Sequence, residues 1–282
     1  MPSQVIYQKT FPITSPRTVD VFNVPYVGDL VGLKLTASLN VTTNASGSVT
    51  LTSAGEWAGI YELKIRDGNK NEAIKIHGPE IPITRRHFAT GTQKFYVTPA
   101  GANATVAASS NASYSTVQDF RMAVQGPNLL EITYAQPSDI TSNTADLSSA
   151  SITLSITAEY GTVAKTLRLA TVTLPNTVVG DNNIVPYLTN TEGKNLMALI
   201  LYGITESDFE YFTQKSGNAT LVDEANLSQL ESLEEATFKD GHITGTLDIL
   251  DMYTGIMSSS QQLILNWNTA NLQPTAIYAY TD

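Results

Sequence analysis

The sequence predicts an antiparallel all-β chain built as sandwiches or barrels, and three observations carry that prediction. Apolar and polar residues alternate with period 2 in about fourteen short runs, the pattern of half-buried strands. Of the 282 residues, 36 are Thr, 23 Ser and 19 Asn, a composition that suits pleated surfaces and tight turns. Only one segment has helical spacing. Many short strands with turn signals between them mean a sandwich or barrel, and jelly-roll connections account for the longer loops more economically than hairpins alone.

Taken in order, Thr18–Val24 (TVDVFNV) is the first run and is closed by Pro25. Val31–Val41 is the clearest, with Val31, Leu33, Leu35, Ala37, Leu39 and Val41 on one face. After a turn region reaching Gly55, Trp57–Arg66 reads as a strand. It ends at Asp67–Gly68, a hairpin signal, with Ala73–Ile76 as its return. Phe88–Val97, Thr116–Val124, Leu129–Tyr134 and Ala150–Tyr160 follow, and Gly101–Ser115, rich in Ala, Ser and Asn, reads as a mobile or tip loop. Further on come Leu167–Leu174, Leu196–Ile204, Ile243–Leu250, Gln262–Trp267 and Ala276–Tyr280. The helix is Asp223–Ala236, with Leu227, Leu230 and Leu233 three apart, Asp223 as N-cap and acids in its first turn.

Two weak echoes suggest two similar halves. Ser148–Ser149 leads into ITLSITAEY as Ser259–Ser260 leads into QQLILNWN. A strand ending at Pro25 precedes GLKLTASL as TVTLP, ending at Pro175, precedes NLMALILYG. The boundary falls near Gly161–Lys165, which gives domains of 1–162 and 163–282, the short helix at about 223–236 lying in the second.

Composition excludes several classes of function. With no cysteine there is no disulfide scaffold, thiolate metal site or thiol catalysis, and the compartment stays open. The N-terminus lacks the apolar region of a secretory signal, and no run is long enough for a membrane-spanning helix. Net charge is −10, of which residues 161–282 carry −9, the wrong sign for a nucleic-acid binder.

Chemistry-bearing motifs are scarce. His77, His87 and His242 are dispersed, and HExxH, GxSxG, GxGxxG and P-loop patterns are missing. Asp67–Glu72 begins like a calcium loop, but Glu72 stands where Gly is required and Gly78 where Glu is required, so it reads as a hairpin turn. Asp181–Asn182–Asn183 is a second oxygen-rich turn. Arg85–Arg86–His87 is the densest basic spot and reads as a solvated loop. The nine acids between Glu206 and Asp240 read as a soluble face. Asn40, Asn44, Asn103, Asn111, Asn218 and Asn226 begin N-x-[ST] triplets that this composition produces by itself. The residues therefore point to no catalytic, cofactor-binding or metal-binding site.

The order VDVFNVP–YVGDLVGLKLTASLNVT, then GEWAGIYELKIRDGN, resembles the opening of jelly-roll major capsid proteins. The family is that of the tailless icosahedral, internal-membrane-containing double-stranded DNA viruses of bacteria and archaea, in the lineage of adenovirus hexon. Gly32–Leu33 and Gly55–Glu56–Trp57 stand at the family's positions, and LRLATVTLPNTV, NLMALILYGI and QQLILNWN continue in the same manner. The resemblance implies a double jelly roll, or else a single jelly roll with a smaller β tower. It implies a structural protein, not an enzyme and without cofactor, that assembles as trimers with a pseudo-hexagonal footprint into an icosahedral shell. Implied partners are further copies of itself, minor capsid or penton proteins and the internal viral membrane, without specific nucleic-acid binding. The place is the virion, after synthesis in the host cytoplasm. Met1–Arg17, with Lys9 and Arg17 and no acid, is the candidate for the inner face. The alternative is a β-sandwich carbohydrate- or receptor-binding module, an adhesin or virion spike, which needs exposed aromatics among the 13 Tyr, Trp57 and Trp267.

Overall fold

The computed structural model describes residues 2–83, 98–189, 191–226, 229–230, 246–250 and 260–281. The chain divides into two compact units, Met1–Thr166 and Leu167–Asp282.

The first unit holds β1 (Ser3–Pro12), β2 (Val19–Asn23), β3 (Asp29–Thr43), β4 (Val49–Thr50), β5 (Ile60–Arg66), β6 (Glu72–His77), β7 (Thr105–Val106), β8 (Asn111–Val124), β9 (Leu129–Tyr134) and β10 (Leu147–Gly161). One sheet runs β1-β10-β3-β8 and the other β6-β5-β9-β2, every pairing antiparallel, with β4 and β7 forming a short separate pair. Without that pair the order is 1-8-3-6 over 5-4-7-2, which is the jelly-roll arrangement. Period-2 alternation does the sorting. Leu33, Leu35, Ala37, Leu39 and Val41 of β3 turn inward beside Ile152, Leu154 and Ile156 of β10, all at most 2% exposed. The two sheets meet where Phe11 of β1 stacks on Tyr134 of β9, ring centroids 4.1 Å apart, and Tyr7 on Phe22 at 4.6 Å.

The second unit repeats the plan with β11 (Leu167–Thr173), β12 (Gly180–Asn183), β13 (Asn195–Tyr202), β14 (Phe209–Ser216), β15 (Ala219–Asn226), β16 (Thr246–Leu250), β17 (Gln261–Trp267) and β18 (Thr275–Thr281). Its orders are β16-β13-β18-β11 and β12-β17-β14-β15, again 1-8-3-6 and 2-7-4-5. Leu199, Leu201, Phe212, Leu263, Leu265 and Trp267 form one core drawn from both sheets. A tower in place of a second barrel is thereby ruled out. Only one leg of the sequence echoes is topological: β3 and β13 are each third in their unit. The Ser-Ser echo joins the eighth strand of one unit to the seventh of the other.

Several expectations need correction. Trp57–Gly59 is not strand. Gly55–Gly59 is a 3₁₀ turn, with Gly55 at φ +54° and any Cβ there 2.7 Å from the Ala102 nitrogen, so the chain reaches extended geometry only at Ile60. Gly101–Ser115 is not a loop throughout: Thr105–Val106 and Asn111–Ser115 are strand, since Ala112 and Tyr114 pair with Val41 and Leu39. Helix does not begin at Asp223, because Asp223–Asn226 completes β15. Asn226 is the cap instead, its Oδ1 accepting from the Gln229 amide at 3.0 Å while Gln229 Oε1 accepts from the Asn226 amide at 2.9 Å. Gln229 and Leu230 are helical, and the rest of the expected helix lies outside the described residues. So do the Phe88–Val97 strand, Arg85–Arg86–His87 and His242.

Candidate functional site

The polar side chains singled out in the sequence are mostly committed to holding the barrels together. His77 ends β6, and the 3₁₀ turn Gly78–Glu80 follows it. Glu80 Oε2 accepts from the His77 amide and Oε1 meets its Nδ1, both at 2.9 Å, so the imidazole belongs to a cap. That carboxylate raises the His77 pKa above its ordinary 6.5, against the lowering effect of burial. Asp67 Oδ1 accepts from the amides of Asn69 and Asn71 at 2.9 and 3.0 Å, which makes it the organiser of the β5–β6 hairpin.

Glu56 of the Gly-Glu-Trp motif is fully buried, and its two oxygens accept from the amides of Ala100 and Gly101 at 3.1 and 2.9 Å. The motif thus fastens the 98–104 loop, while Trp57 fills the core beneath it at 0% exposure.

In Met1–Arg17, the candidate for the inner face, both cationic side chains are paired with acids from elsewhere in the unit. Lys9 donates to Asp20 at 2.8 Å, and Asp20 also accepts from Tyr7 at 2.6 Å. Arg17 makes a two-pronged contact with Asp139 at 2.7 and 2.9 Å and lies 3.6 Å over the Tyr61 ring. Most of the segment is strand in the barrel wall.

In the second unit, Asp181–Asn183 is strand β12. Asp181 Oδ1 accepts from Tyr211 at 3.0 Å and Asn266 at 2.8 Å, and the Asn182 amide closes onto the carbonyls of Val178 and Gly180. Beside it is a cleft of about 250 Å³ with an uncharged lining that includes Pro175, Asn183, Tyr187 and Trp267. Trp267 is 1% exposed, so like Trp57 it does not present the open ring the carbohydrate alternative asks for. The acidic stretch from Glu206 resolves, within the described residues, into the β14–β15 hairpin, with Phe209 and Phe212 inward and Asp223 and Glu224 exposed. Among the described residues no three His, Asp or Glu side chains gather as a metal site, and no helix is long and apolar enough to cross a membrane.

What remains are broad surfaces. The outer face of β5, β6 and β9 is a lattice of ion pairs: Lys64 to Glu62 at 2.6 Å and to Glu131 at 3.5 Å, and Arg66 to Glu131 at 3.7 Å. The outer face of β1-β10-β3-β8 carries short uncharged side chains in register. Ser151, Asn40 and Ser113 form one row, and Thr153, Ser38 and Ser115 the next.

No family model matches the sequence, and no curated protein matches it. Solved structures do. The crystal structure of the STIV MCP aligns over 99% of this chain and 95% of its own, with TM-score 0.75 at 14% identity. The chain has the double jelly-roll fold of viral major capsid proteins. Its likeness extends to the major capsid protein P2 from bacteriophage PM2, at TM-score 0.57 and 11% identity over 98% of this chain and 97% of that one. It extends also to the PBCV-1 virus capsid, at 0.59 and 8% over 99% and 94%.

Proposed function

We propose that the chain is a structural major capsid protein that assembles, as trimers with a pseudo-hexagonal footprint, into the icosahedral shell of a virion. The observation that carries this reading is the repetition of one eight-strand barrel order within a single chain that is similar, end to end, to capsid proteins. Three chains of two similar barrels offer six comparable units around one axis, which tile a hexagonal lattice. The polar groups singled out in the sequence for chemistry support a non-enzymatic role, because His77, Asp67 and Asp181 are each engaged in local architecture. On this reading the partners are further copies, minor or penton proteins at special positions and an internal membrane, with synthesis in the host cytoplasm. Specific nucleic-acid binding is not expected of a chain at −10.

Size-exclusion chromatography with light scattering tests the reading. A species at three times the 30.4 kDa chain mass, packing into hexagonal arrays by electron microscopy, is the expected result. A stable monomer at high concentration that forms no arrays would overturn it.

A further inference from the structure

The two outer faces of the first unit differ in kind. The β5–β6–β9 face is held by charged pairs among Lys64, Glu62 and Glu131, whose side chains are 17, 11 and 21% exposed, so its charges are largely engaged with one another. Along β3 from Thr36 to Thr42 the other outer face has no charge at all. Its rows run through β10 and β8 by way of Ser155 and Val117, then Thr153, Ser38 and Ser115, then Ser151, Asn40 and Ser113. On β1, Thr10 continues a row and meets the Thr153 hydroxyl at 2.8 Å. Charge returns only toward one end, where Lys34 lies in register with Asp119.

We propose that this Ser/Thr/Asn face of the β1-β10-β3-β8 sheet is a contact surface between copies, its occupant a second molecule of the same chain. The proposal rests on the capsid reading and says where one of its contacts lies.

Three physical arguments favour that occupant. Each copy carries −10, so two copies repel, and a contact between them forms best where the local charge is zero. Hydroxyl and amide groups both donate and accept, so such a face can satisfy another surface of this polar, charge-poor chain without desolvating ions. Short side chains also give up little rotamer freedom and let a neighbour approach closely. The uncharged patch is four rows long and four strands wide, except in the Thr42 row, which β1 does not reach. At about 4.8 Å between strands and about 6.8 Å between alternate residues, it covers roughly 500 Å² in projection. That exceeds the roughly 400 Å² per side of incidental contacts and approaches the ~800 Å² per partner of specific ones. A nucleic acid or an anionic lipid would need cations that these rows lack.

Because the chain has no cysteine, Ser38→Cys and Ser113→Cys each introduce a single thiol by a nearly isosteric change. Maleimide labelling of each variant, compared between assembled material and dissociated monomer, reads the face directly. At least tenfold slower labelling in the assembly is expected. Equal rates in an assembly that otherwise forms normally overturn this contact and leave the capsid reading standing. Slow labelling in both states means that another ligand already covers the face, and also overturns it. A wild-type chain that never associates overturns both. As a second measurement, Ser38→Glu, Ser113→Glu and Ser151→Glu combined are expected to leave circular dichroism unchanged and to raise the association midpoint about a hundredfold. Assembly at the wild-type concentration would overturn the proposal.

Discussion

At the scale of single residues, structure rests on a few positions where chemistry allows no substitute. A Cβ on Gly78 would lie 2.1 Å from the carbonyl oxygen of Trp57 and 2.2 Å from that of Ile60, both backbone atoms that cannot swing aside. Gly78→Ala is therefore expected to cost on the order of 3 kcal/mol, read as a shift of the denaturant midpoint. Glu56→Ala strands the Gly101 amide and leaves the Ala100 amide only its second acceptor, Thr116 Oγ1 at 3.2 Å, for a loss of about 2 kcal/mol. Both motifs were visible as letters, but the sequence does not say what touches them, since the partners of Glu56 lie more than forty positions away. Ionisation at His77, Asp20 and Asp139 contributes to the pH dependence of stability. Glu80 raises the His77 pKa in the folded state. Its contribution is complete below the ordinary 6.5 and is lost as pH rises through the folded value. Burial alone would push up the carboxyls of Asp20 and Asp139, but hydrogen bonds from Lys9 and Tyr7, and from Arg17, outweigh it and hold both below the ordinary 3.8. Their contribution is present above 3.8 and lost as pH falls through the depressed values. Thermal midpoints should form a plateau between about 4 and about 6.5 and fall on both sides. Glu80→Gln should flatten the alkaline shoulder while leaving the acid one in place.

At the scale of elements, legibility followed position within the sheet. Interior strands β3, β9, β10 and β17 are half-buried or more, so their alternation is plain in the sequence. The strands that escaped reading are mostly edges: β1, β12 and β15 each pair on one side within their sheets, and β1 buries only Tyr7. An edge that buries little needs little apolar patterning, and Gly180–Asp181–Asn182–Asn183 looks like a turn because nothing in it must face a core. β14 is interior and was missed for another reason. Its buried Phe209 and Phe212 are three apart, with a register shift at Tyr211 that breaks the period of two. The helix beginning beyond Asn226 was misplaced because acids suit both an edge strand and a helix start. β1 gives the sharpest test at this scale. It covers the edge of β10 over nine register pairs, and it supplies Tyr7 to Asp20 and Phe11 to Tyr134. Deleting Ser3–Pro12 leaves β10 with unpaired amides and carbonyls and opens the core at Tyr134. The expected outcome is loss of soluble protein, with stronger binding of a hydrophobic dye by whatever remains. A monodisperse product with an unchanged thermal midpoint would show that β1 is dispensable to the fold.

At the scale of the whole molecule, charge and assembly pull against each other. The chain carries 26 acidic and 16 basic residues, has an isoelectric point near 4.7, and places −9 of its net charge in residues 161–282. On the capsid reading, copies brought together in a shell therefore repel over the Debye length, about 14 Å in 50 mM salt and about 4 Å in 500 mM. If copies met through patches of opposite sign, added salt would screen the attraction and weaken assembly. If they meet through the uncharged hydroxyl face, salt screens only the repulsion, and association strengthens. The prediction is that the concentration needed for half-assembly, followed by light scattering at pH 7, falls several-fold between 50 and 500 mM NaCl. Lowering the pH toward 5 at 50 mM salt should act in the same direction, since the net charge shrinks as the isoelectric point is approached. Assembly that weakens as salt rises would mean that ion pairs between copies dominate. The search for the contact would then move to the charged surfaces, above all the exposed acids of β15.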